Sequence, residues 1–147
     1  MIVLDTNIIS EVMRPAPELK VMAWLRQQPL TTLAVTTVTM AEIHYGLERL
    51  PAGRRRQTLE ARFQMFIERG FDQRLLFFDD LAAVAYGKIV ANRVRQGRLI
   101  EAFDAMIAAI AQVNHATVAT RDVSGFEHCG VDIINPWEIE LPANPED

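Results

Sequence analysis

The sequence lacks the features that mark an exported, membrane-spanning or disulfide-held protein. It has one cysteine, Cys129, so an internal disulfide framework is excluded. Its longest strongly apolar run, around residues 105–111, is too short to cross a bilayer. The N-terminus has no basic leader, and Asp5 interrupts its first apolar segment, which argues against a secretory signal. We therefore expect a cytoplasmic protein that does not enter a membrane.

Positive charge is also scarce. The chain has 15 Lys and Arg residues against 19 Asp and Glu residues, a net charge of −4, which disfavours nucleic-acid binding through a broad basic patch. Acidity does not exclude an anionic partner, because two bound divalent cations would raise the formal charge from −4 to zero. The histidines His44, His115 and His128 lack metal-ligand spacing, and we expect a surface role for His44.

The composition that remains is that of an ordinary globular protein. At 147 residues, 50% hydrophobic and 23% charged, the chain suits a single domain over residues 1–147 with a real core. Short apolar runs alternate with amphipathic stretches, which predicts an α/β sandwich with a mostly parallel sheet. Strands are predicted at 1–4, 33–35, 75–78, 117–120 and 131–134, helices at 5–13, 18–28, 39–50, 54–69, 81–96 and 105–114, and a loop at 124–130.

Acidic residues lie close to the ends of these elements. Asp5 directly follows the strand "MIVL", and Asp122 lies two residues beyond "TVAT". Glu42 in "TMAEIHYGL" and Asp104 in "EAFDAMIAAIAQ" lie near the starts of apolar helices. Ligands of open parallel sheets bind outside the carboxyl ends of the strands, so these acids could converge on one pocket. Oxygen ligands without a cysteine or histidine cluster indicate Mg²⁺ or Mn²⁺, and a pair of such ions commonly serves phosphodiester cleavage.

Each acid also has a structural interpretation that requires no chemistry. Asp5 can cap the helix that follows it, and Asp104 can be the N-cap of the next apolar helix. Glu42 completes a Thr39-x-x-Glu42 capping box. Asp122 can be a turn residue. Taken singly, none of the acids identifies a site.

Taken in order, the segments resemble a known family. "MIVLDTNIISE", "TVTMAEIHYGL", "IEAFDAMIAAIA" and "TVATRD" resemble the signature of PIN-domain nucleases, and the match is closest to the ribonuclease toxins of VapBC-type toxin–antitoxin pairs. The terminal "VDIINPWEI" is similar to the FitB-like branch, so the resemblance covers nearly the whole chain. It implies a PIN-like three-layer sandwich, with a central sheet flanked by helices, and metal-dependent hydrolysis of RNA.

The resemblance also implies roles for individual residues. The four family acids, which bind Mg²⁺ or Mn²⁺, correspond in order to Asp5, Glu42, Asp104 and Asp122. Hydroxyls that orient a carboxylate or a water would come from Thr6 or Thr120, Asn7 would brace the first loop, and Arg121 is the candidate for contact with RNA. Glu101 is an outer acid or, as we prefer, an exposed surface residue. We expect Asp5→Asn or Asp104→Asn to abolish turnover while the fold survives.

Partners are implied as well. Toxins of this type are inert in complex with a small DNA-binding antitoxin, whose extended tail crosses the toxin groove and often offers a basic side chain to the acids. Homodimers and toxin–antitoxin hetero-oligomers are typical of the family. We therefore expect an RNA substrate, a cognate antitoxin and a homodimer.

Other interpretations fit less well. A phosphatase of the haloacid-dehalogenase type needs a second Asp two positions after the first, where this chain has Asn7. A response-regulator receiver would use paired acids such as Asp79 and Asp80 with a later strand-end Lys, which is missing. A PIN nuclease in RNA processing or DNA repair remains an alternative, and so does a non-catalytic PIN scaffold, although the four acids are intact.

Several basic and aromatic residues have two possible roles. The arginine run at 54–56 either binds a phosphate backbone or an antitoxin, or is the solvated first turn of a helix. Three arginines near a later helix end can complement its dipole: Arg93, Arg95 and Arg98. We expect Trp24 and Trp137 in a core or an interface rather than in base stacking.

Overall fold

Short strands alternate with helices along the computed structural model, which describes residues 1–71 and 74–140. The strands are β1 (Ile2–Leu4), β2 (Leu33–Thr36), β3 (Leu75–Leu76), β4 (Thr117–Ala119) and β5 (Ile133–Ile134). The helices are α1 (Thr6–Val12), α2 (Leu19–Gln27), α3 (Thr37–Glu48), α4 (Arg54–Gly70), α5 (Asp80–Arg95), α6 (Ala102–Val113) and α7 (Val123–Phe126), with a 3₁₀ turn at Leu30–Thr32. None of the helices in these two ranges is long and apolar enough to cross a membrane.

The strands form one sheet in the order β3-β2-β1-β4-β5, and every pairing in it is parallel. The chain builds outward from β1 to β2 and β3, and then crosses to the other side of β1 to add β4 and β5. The strand order therefore reverses between β1 and β4. In open parallel sheets this reversal opens a crevice at the carboxyl ends of the strands, where ligands bind.

Consecutive strand residues face opposite sides of the sheet. Val3 packs with Ala34 and Val118 against residues of α5 and α6. Leu4, the next residue along β1, packs with Leu33 and residues of α1 to α4 on the other face. Both faces are thus covered by helices, which explains why β1 is a continuous apolar run rather than an alternating one. The predicted three-layer α/β sandwich is confirmed.

Two helices begin earlier than the apolar pattern predicts. The Thr36 hydroxyl at the end of β2 accepts the Thr39 N–H at 3.1 Å, so α3 begins at Thr37 and the Thr39–Glu42 capping box is wrong. Helix α6 begins at Ala102, with Glu101 in the N-cap position, so the N-cap interpretation of Asp104 is also wrong. Residues 102 and 103 of α6 are exposed and Asp104 is half-buried, so this first turn lies outside the apolar run that marks the buried face of the helix.

Three other predicted bounds are corrected at the edge of the sheet and beside it. The outer strands β3 and β5 have two paired residues each, where four-residue strands were predicted. Each of these strands pairs with a neighbour on one side only, so its pairing ends where that neighbour ends. The predicted loop at 124–130 begins with a single helical turn, α7, whose N-cap is Asp122.

Candidate active site

Asp5 lies at the carboxyl end of β1, where the strand passes directly into α1. Its N–H donates to Ala119 O of β4 at 2.9 Å, which continues the sheet by one bond. Its Oδ1 accepts the Thr6 N–H at 2.7 Å, so Asp5 is the N-cap of α1. Its Oδ2 accepts the Thr120 hydroxyl at 2.8 Å and the Asn7 amide at 3.3 Å. Only 4% of Asp5 is exposed, so this carboxylate is held in one orientation by the surrounding donors.

Glu42 reaches the same place from α3. The Thr6 hydroxyl donates to Glu42 Oε1 at 2.8 Å, and Thr39 Oγ1 lies 3.2 Å from that hydroxyl. Because Thr36 caps α3, the Glu42 side chain has no capping role. Thr6 therefore links the first acid segment to the second one.

Asn7 and Thr120 join the loop after β1 to the loop after β4. The Asn7 amide donates to Thr120 Oγ1 at 3.1 Å, and its Oδ1 accepts the Arg121 N–H at 3.3 Å. Thr120 is fully buried and its hydroxyl oxygen also accepts the Asp122 N–H at 3.0 Å. The contacts predicted for these supporting residues are therefore present, and they bring the fourth acid segment beside the first.

Asp122 is both a cap and a member of the cleft. Its Oδ1 accepts the Gly125 N–H at 3.1 Å and the Ser124 hydroxyl at 3.2 Å, which holds the first turn of α7. The residue is exposed, and its side chain lines the cleft together with Asp5, Glu42 and Asp104. The turn interpretation and the cleft interpretation are compatible.

Asp104 lies in the first turn of α6 and is half-buried. Burial raises its pKa from 3.8 to about 7, and the negative charges of nearby acids add to the effect. Burial likewise raises the pKa of Asp5 to about 6, although hydrogen bonds from Thr120 and Thr6 lower it. In both cases burial and the neighbouring acids disfavour the charged form of the carboxylate, and a bound cation would favour it.

The acids line a cleft of about 520 Å³. Within residues 1–71 and 74–140, no three His, Cys, Asp or Glu side chains form a ready-made set of metal ligands. Arg121 and Trp137 also line the cleft, and the Arg121 guanidinium lies 5.2 Å from the centre of the Trp137 ring. The predicted Arg121 therefore lines the same cleft as the acids.

Sequence reasoning missed a polar stripe on α1. Glu11 lines the cleft and is 6% exposed, with its carboxylate accepting the Glu18 N–H at 2.9 Å and the Arg14 guanidinium at 3.1 Å. Burial favours a higher pKa for Glu11, but these donors outweigh it and the pKa lies below its usual value. The signal was the spacing of Asn7 and Glu11, four residues apart on one face of α1, with Arg14 just beyond the end of that helix.

The other singled-out residues, apart from Trp137, do not line the cleft, although the charge of Glu101 adds to the raised pKa of Asp104. His44 is exposed as predicted and lies edge-on to Phe63 with ring centres 5.3 Å apart, and His115 and His128 are exposed as well. Trp24 is buried in the core, as expected, and Glu101 is exposed. The three arginines at 54–56 have different surroundings. Arg56 forms salt bridges with Glu48 and Glu60, whereas Arg54 and Arg55 line a groove beside the cleft.

Comparison with known proteins gives the same family throughout. The PIN domain model matches residues 2–130. The VapC ribonuclease Y4jK of Sinorhizobium fredii is 42% identical over 138 residues, covering 94% of this chain and 99% of the relative. Toxin FitB of Neisseria gonorrhoeae is 39% identical over 137 residues, covering 93% and 99% of the two chains.

Solved structures agree. In the structure of FitAB bound to an IR36 DNA fragment, one chain superposes with a TM-score of 0.90 at 38% identity, over 96% of this chain and 99% of that one. In the DNA-bound VapBC of Salmonella typhimurium, the TM-score is 0.76 at 27% identity, over 92% and 97% of the two chains. The likeness therefore extends over nearly the whole length of this chain and of each match.

Proposed function

The chain belongs to the PIN-domain family and to its VapC-type ribonuclease toxins, and on that basis we propose that it cleaves RNA at the carboxylate cleft with the help of Mg²⁺ or Mn²⁺. The observation that carries the proposal is the convergence of four acids from distant segments at the point where the strand order reverses: Asp5, Glu42, Asp104 and Asp122. The RNA would be met in the cytoplasm.

The donor chemistry of the cleft fits a hard divalent cation. The acids offer carboxylate oxygens, and the raised pKa values of Asp5 and Asp104 reflect burial together with mutual repulsion, which a cation would relieve. The described residues hold no closed set of three ligands. A cation that contacts one or two carboxylates and completes its shell with water and substrate oxygens is compatible with this arrangement, and Mg²⁺ commonly binds in that way.

The protein residues have distinct tasks in this mechanism. When bound, the divalent cation supplies Lewis-acid activation of water and neutralises charge on the phosphate. The Thr120 hydroxyl and the Thr6 N–H already orient the Asp5 carboxylate, so it would not need to reorient to bind the cation. Glu42 is oriented by Thr6. Arg121, which lines the cleft, would contact a phosphate of the RNA strand.

We also propose that an antitoxin segment occupies the groove beside the cleft. This groove, of about 1150 Å³, has an apolar floor that includes Ile43, Leu47 and Leu59. It shares Thr6, Ser10, Arg14 and Glu42 with the acid cleft, so a peptide seated in it would also obstruct the acids. An amphipathic helix suits such a surface, since its apolar face can pack on the groove floor. A toxin homodimer joined to antitoxin chains is the assembly we propose.

The first test is RNA cleavage by purified protein freed of antitoxin. A mixed single-stranded RNA is incubated with Mg²⁺ or Mn²⁺, and separately with EDTA. We expect metal-dependent cleavage, with Asp5→Asn lowering the rate on the order of 10³-fold through loss of several kcal/mol of transition-state stabilisation. Asp132→Asn is the matched control, because Asp132 is exposed and does not line the cleft. Cleavage that persists in EDTA, or at the parent rate in Asp5→Asn, would contradict the proposal.

A further inference from the structure

Arg93, in the last turn of α5, is buried, with only 4% of its surface exposed. The interpretation of Arg93 as a simple partner of the helix dipole is therefore incomplete. Within the part of the chain that the structure describes, it forms no salt bridge with a carboxylate. Its guanidinium donates instead to four backbone carbonyl groups. A buried charge satisfied only by backbone oxygens serves to hold those backbone segments together.

The carbonyl groups belong to two separate segments. Arg93 Nε donates to Arg98 O at 3.2 Å, and Nη2 donates to Leu99 O at 2.8 Å. Its Nη1 donates to Ser124 O at 3.1 Å and to Glu127 O at 2.6 Å. One planar side chain thus spans residues that are 31 and 34 positions away in sequence as well as its near neighbours.

Each of these segments adjoins the part of the chain that bears a cleft acid. The Arg98–Leu99 segment leads into α6, whose first turn holds Asp104. The Ser124–Glu127 segment is α7 and the residue that follows it, and the N-cap of α7 is Asp122. Asp5 and Glu42 are oriented by hydroxyl groups at the cleft itself. Asp104 has no side-chain hydrogen bond among the described residues, so its position depends on how α6 is placed.

We propose that Arg93 is a positioning residue that fixes Asp104 and Asp122 relative to each other from behind the cleft. The inference rests on the proposed function, since it concerns the ability of those two acids to serve one divalent cation. The rigid fork of a guanidinium suits this task because it directs several N–H groups in fixed directions. The three N–H donors of a lysine ammonium all lie on one nitrogen atom, so this group cannot reach both segments with the same geometry.

Arg74 provides a matched control. It too donates to backbone carbonyl groups, with Nε 2.6 Å from Leu33 O and Nη2 close to Gly70 O. Its guanidinium lies 5.6 Å from the centre of the Phe71 ring, on the β3 side of the sheet, and Arg74 does not line the cleft. Loss of Arg74 therefore removes a comparable structural tie without disturbing the segments that bear Asp104 and Asp122.

The test compares Arg93→Met, Arg93→Lys and Arg74→Met in the full chain, freed of antitoxin. The dissociation constant of Mn²⁺ is measured by electron paramagnetic resonance, and the unfolding midpoint and amide exchange are measured on the metal-free protein. Both methionine variants should unfold at lower temperature. Of these two methionine variants, Arg93→Met alone should weaken Mn²⁺ binding, by about tenfold, which is the usual effect of losing a residue that orients metal ligands. Arg93→Lys should show a smaller loss, and it is the informative variant if Arg93→Met does not fold.

Amide exchange locates the effect. Arg93→Met should speed exchange at residues 98–104 and 122–127 together, whereas Arg74→Met should speed it near residues 33–36. Mn²⁺ affinity within twofold of the parent in the Arg93 variants, or an equal loss in Arg74→Met, would overturn the inference. If the parent protein itself binds no Mn²⁺, the metal part of the proposed function fails, and the Arg93 inference falls with it. The parent's own affinity therefore distinguishes the two failures.

Discussion

Asp5 and Asp104 line the same cleft but are held in opposite ways. Asp5 is 4% exposed and accepts hydrogen bonds from a backbone N–H, a threonine hydroxyl and an asparagine amide. Asp104 is half-buried on the first turn of α6, and among the described residues no side chain donates to its carboxylate. Burial raises the pKa of both, to about 6 for Asp5 and about 7 for Asp104.

The difference separates two ways of preparing a site for a cation. Donors around Asp5 offset part of the cost of burying its charge, so the fold itself holds that carboxylate ready. The charge of Asp104 has no such compensation and is opposed by Asp5, Asp122 and Glu42. We therefore expect the charged form of Asp104 to lower the stability of the metal-free protein at neutral pH, and the position of this carboxylate depends on the backbone that bears it.

The largest expected effect comes from Asp104→Asn. Removal of a carboxylate that contacts the cation should lower the rate of RNA cleavage on the order of 10³-fold, as for Asp5→Asn. The metal-free stabilities of the two variants should nevertheless differ. Asp104→Asn removes an uncompensated charge and should raise the melting temperature at pH 8 by about 3 °C, roughly 1 kcal/mol. Asp5→Asn should gain less, because the new amide group faces the Asn7 amide donor.

Thermal unfolding in EDTA checks this ranking, with Asp132→Asn as the exposed control. An equal rise for both variants would mean that the hydrogen bonds to Asp5 contribute little. A fall in the melting temperature of Asp104→Asn would show that its carboxylate is not crowded by the other acids.

The sequence predicted Asp5 well because a single local signal identifies it. A carboxylate that directly follows a short, wholly apolar run must lie at a strand end, and in a parallel sheet that edge is shared by all the strands. The alternation of elements likewise predicted the α/β layers. The single domain, the metal and the roles of the acids stay predictions, since geometry alone tests none of them.

What could not be predicted depends on contacts between distant residues. Thr39 and Glu42 have the spacing of a capping box, yet the Thr39 N–H donates to the hydroxyl of Thr36 at the end of β2, which is therefore the N-cap. The buried guanidinium of Arg93 donates to two carbonyl groups that are more than 30 residues away in sequence, with α6 and β4 between them and Arg93. The role of Glu11 depends on the N–H of Glu18, seven residues along, after the chain has turned. Helical periodicity does not indicate such partners.

Stability of the metal-free protein should fall as pH rises from about 4 to about 8. The pKa values of Asp5 and Asp104 are raised, so between these limits the folded chain binds more protons than the unfolded chain. The stabilisation that these two groups contribute is fully present below about pH 4. It is lost as the pH rises through their folded-state pKa values, about 6 for Asp5 and about 7 for Asp104. For Asp5 alone the change amounts to at most about 3 kcal/mol. Urea unfolding in EDTA at several pH values measures the slope.

Asp104→Asn is the control for that slope, since it should flatten the upper part of the curve, from about pH 6 upward. Added Mg²⁺ should stabilise the parent protein more at pH 8 than at pH 5, because protonated carboxylates do not bind it. A slope identical in the parent and the variant would place the titration elsewhere in the molecule.

Thr120→Val tests the preset orientation of Asp5. The hydroxyl donates to Asp5 Oδ2 at 2.8 Å and accepts the Asp122 N–H at 3.0 Å and the Asn7 amide at 3.1 Å, and valine keeps the shape without any of these bonds. We expect cleavage to fall about tenfold, the equivalent of one bond to a charged group. The Thr120 bond lowers the pKa of Asp5, so its loss should raise that pKa further. Carbon-13 NMR of the Asp5 carboxyl measures the shift, and Thr117→Val, at the other end of β4, should leave both values unchanged.

The smallest effect should come from Gly125→Ala, which moves Asp122 without touching Asp5. A Cβ at position 125 would lie 2.5 Å from Asp122 Oδ2, so the exposed carboxylate must swing aside and release its cap bond to the Gly125 N–H. We expect a severalfold loss of cleavage and a loss of stability of about 1 kcal/mol, the usual value of an N-cap. Gly87→Ala is the control: its Cβ meets open space within α5, and it should stabilise the protein by about 0.5–1 kcal/mol. If Gly125→Ala cleaves RNA at the parent rate although its melting temperature falls, Asp122 acts only as a helix cap. Cleavage would then depend on the other cleft acids, with Asp5 held by hydrogen bonds and Asp104 held by its backbone.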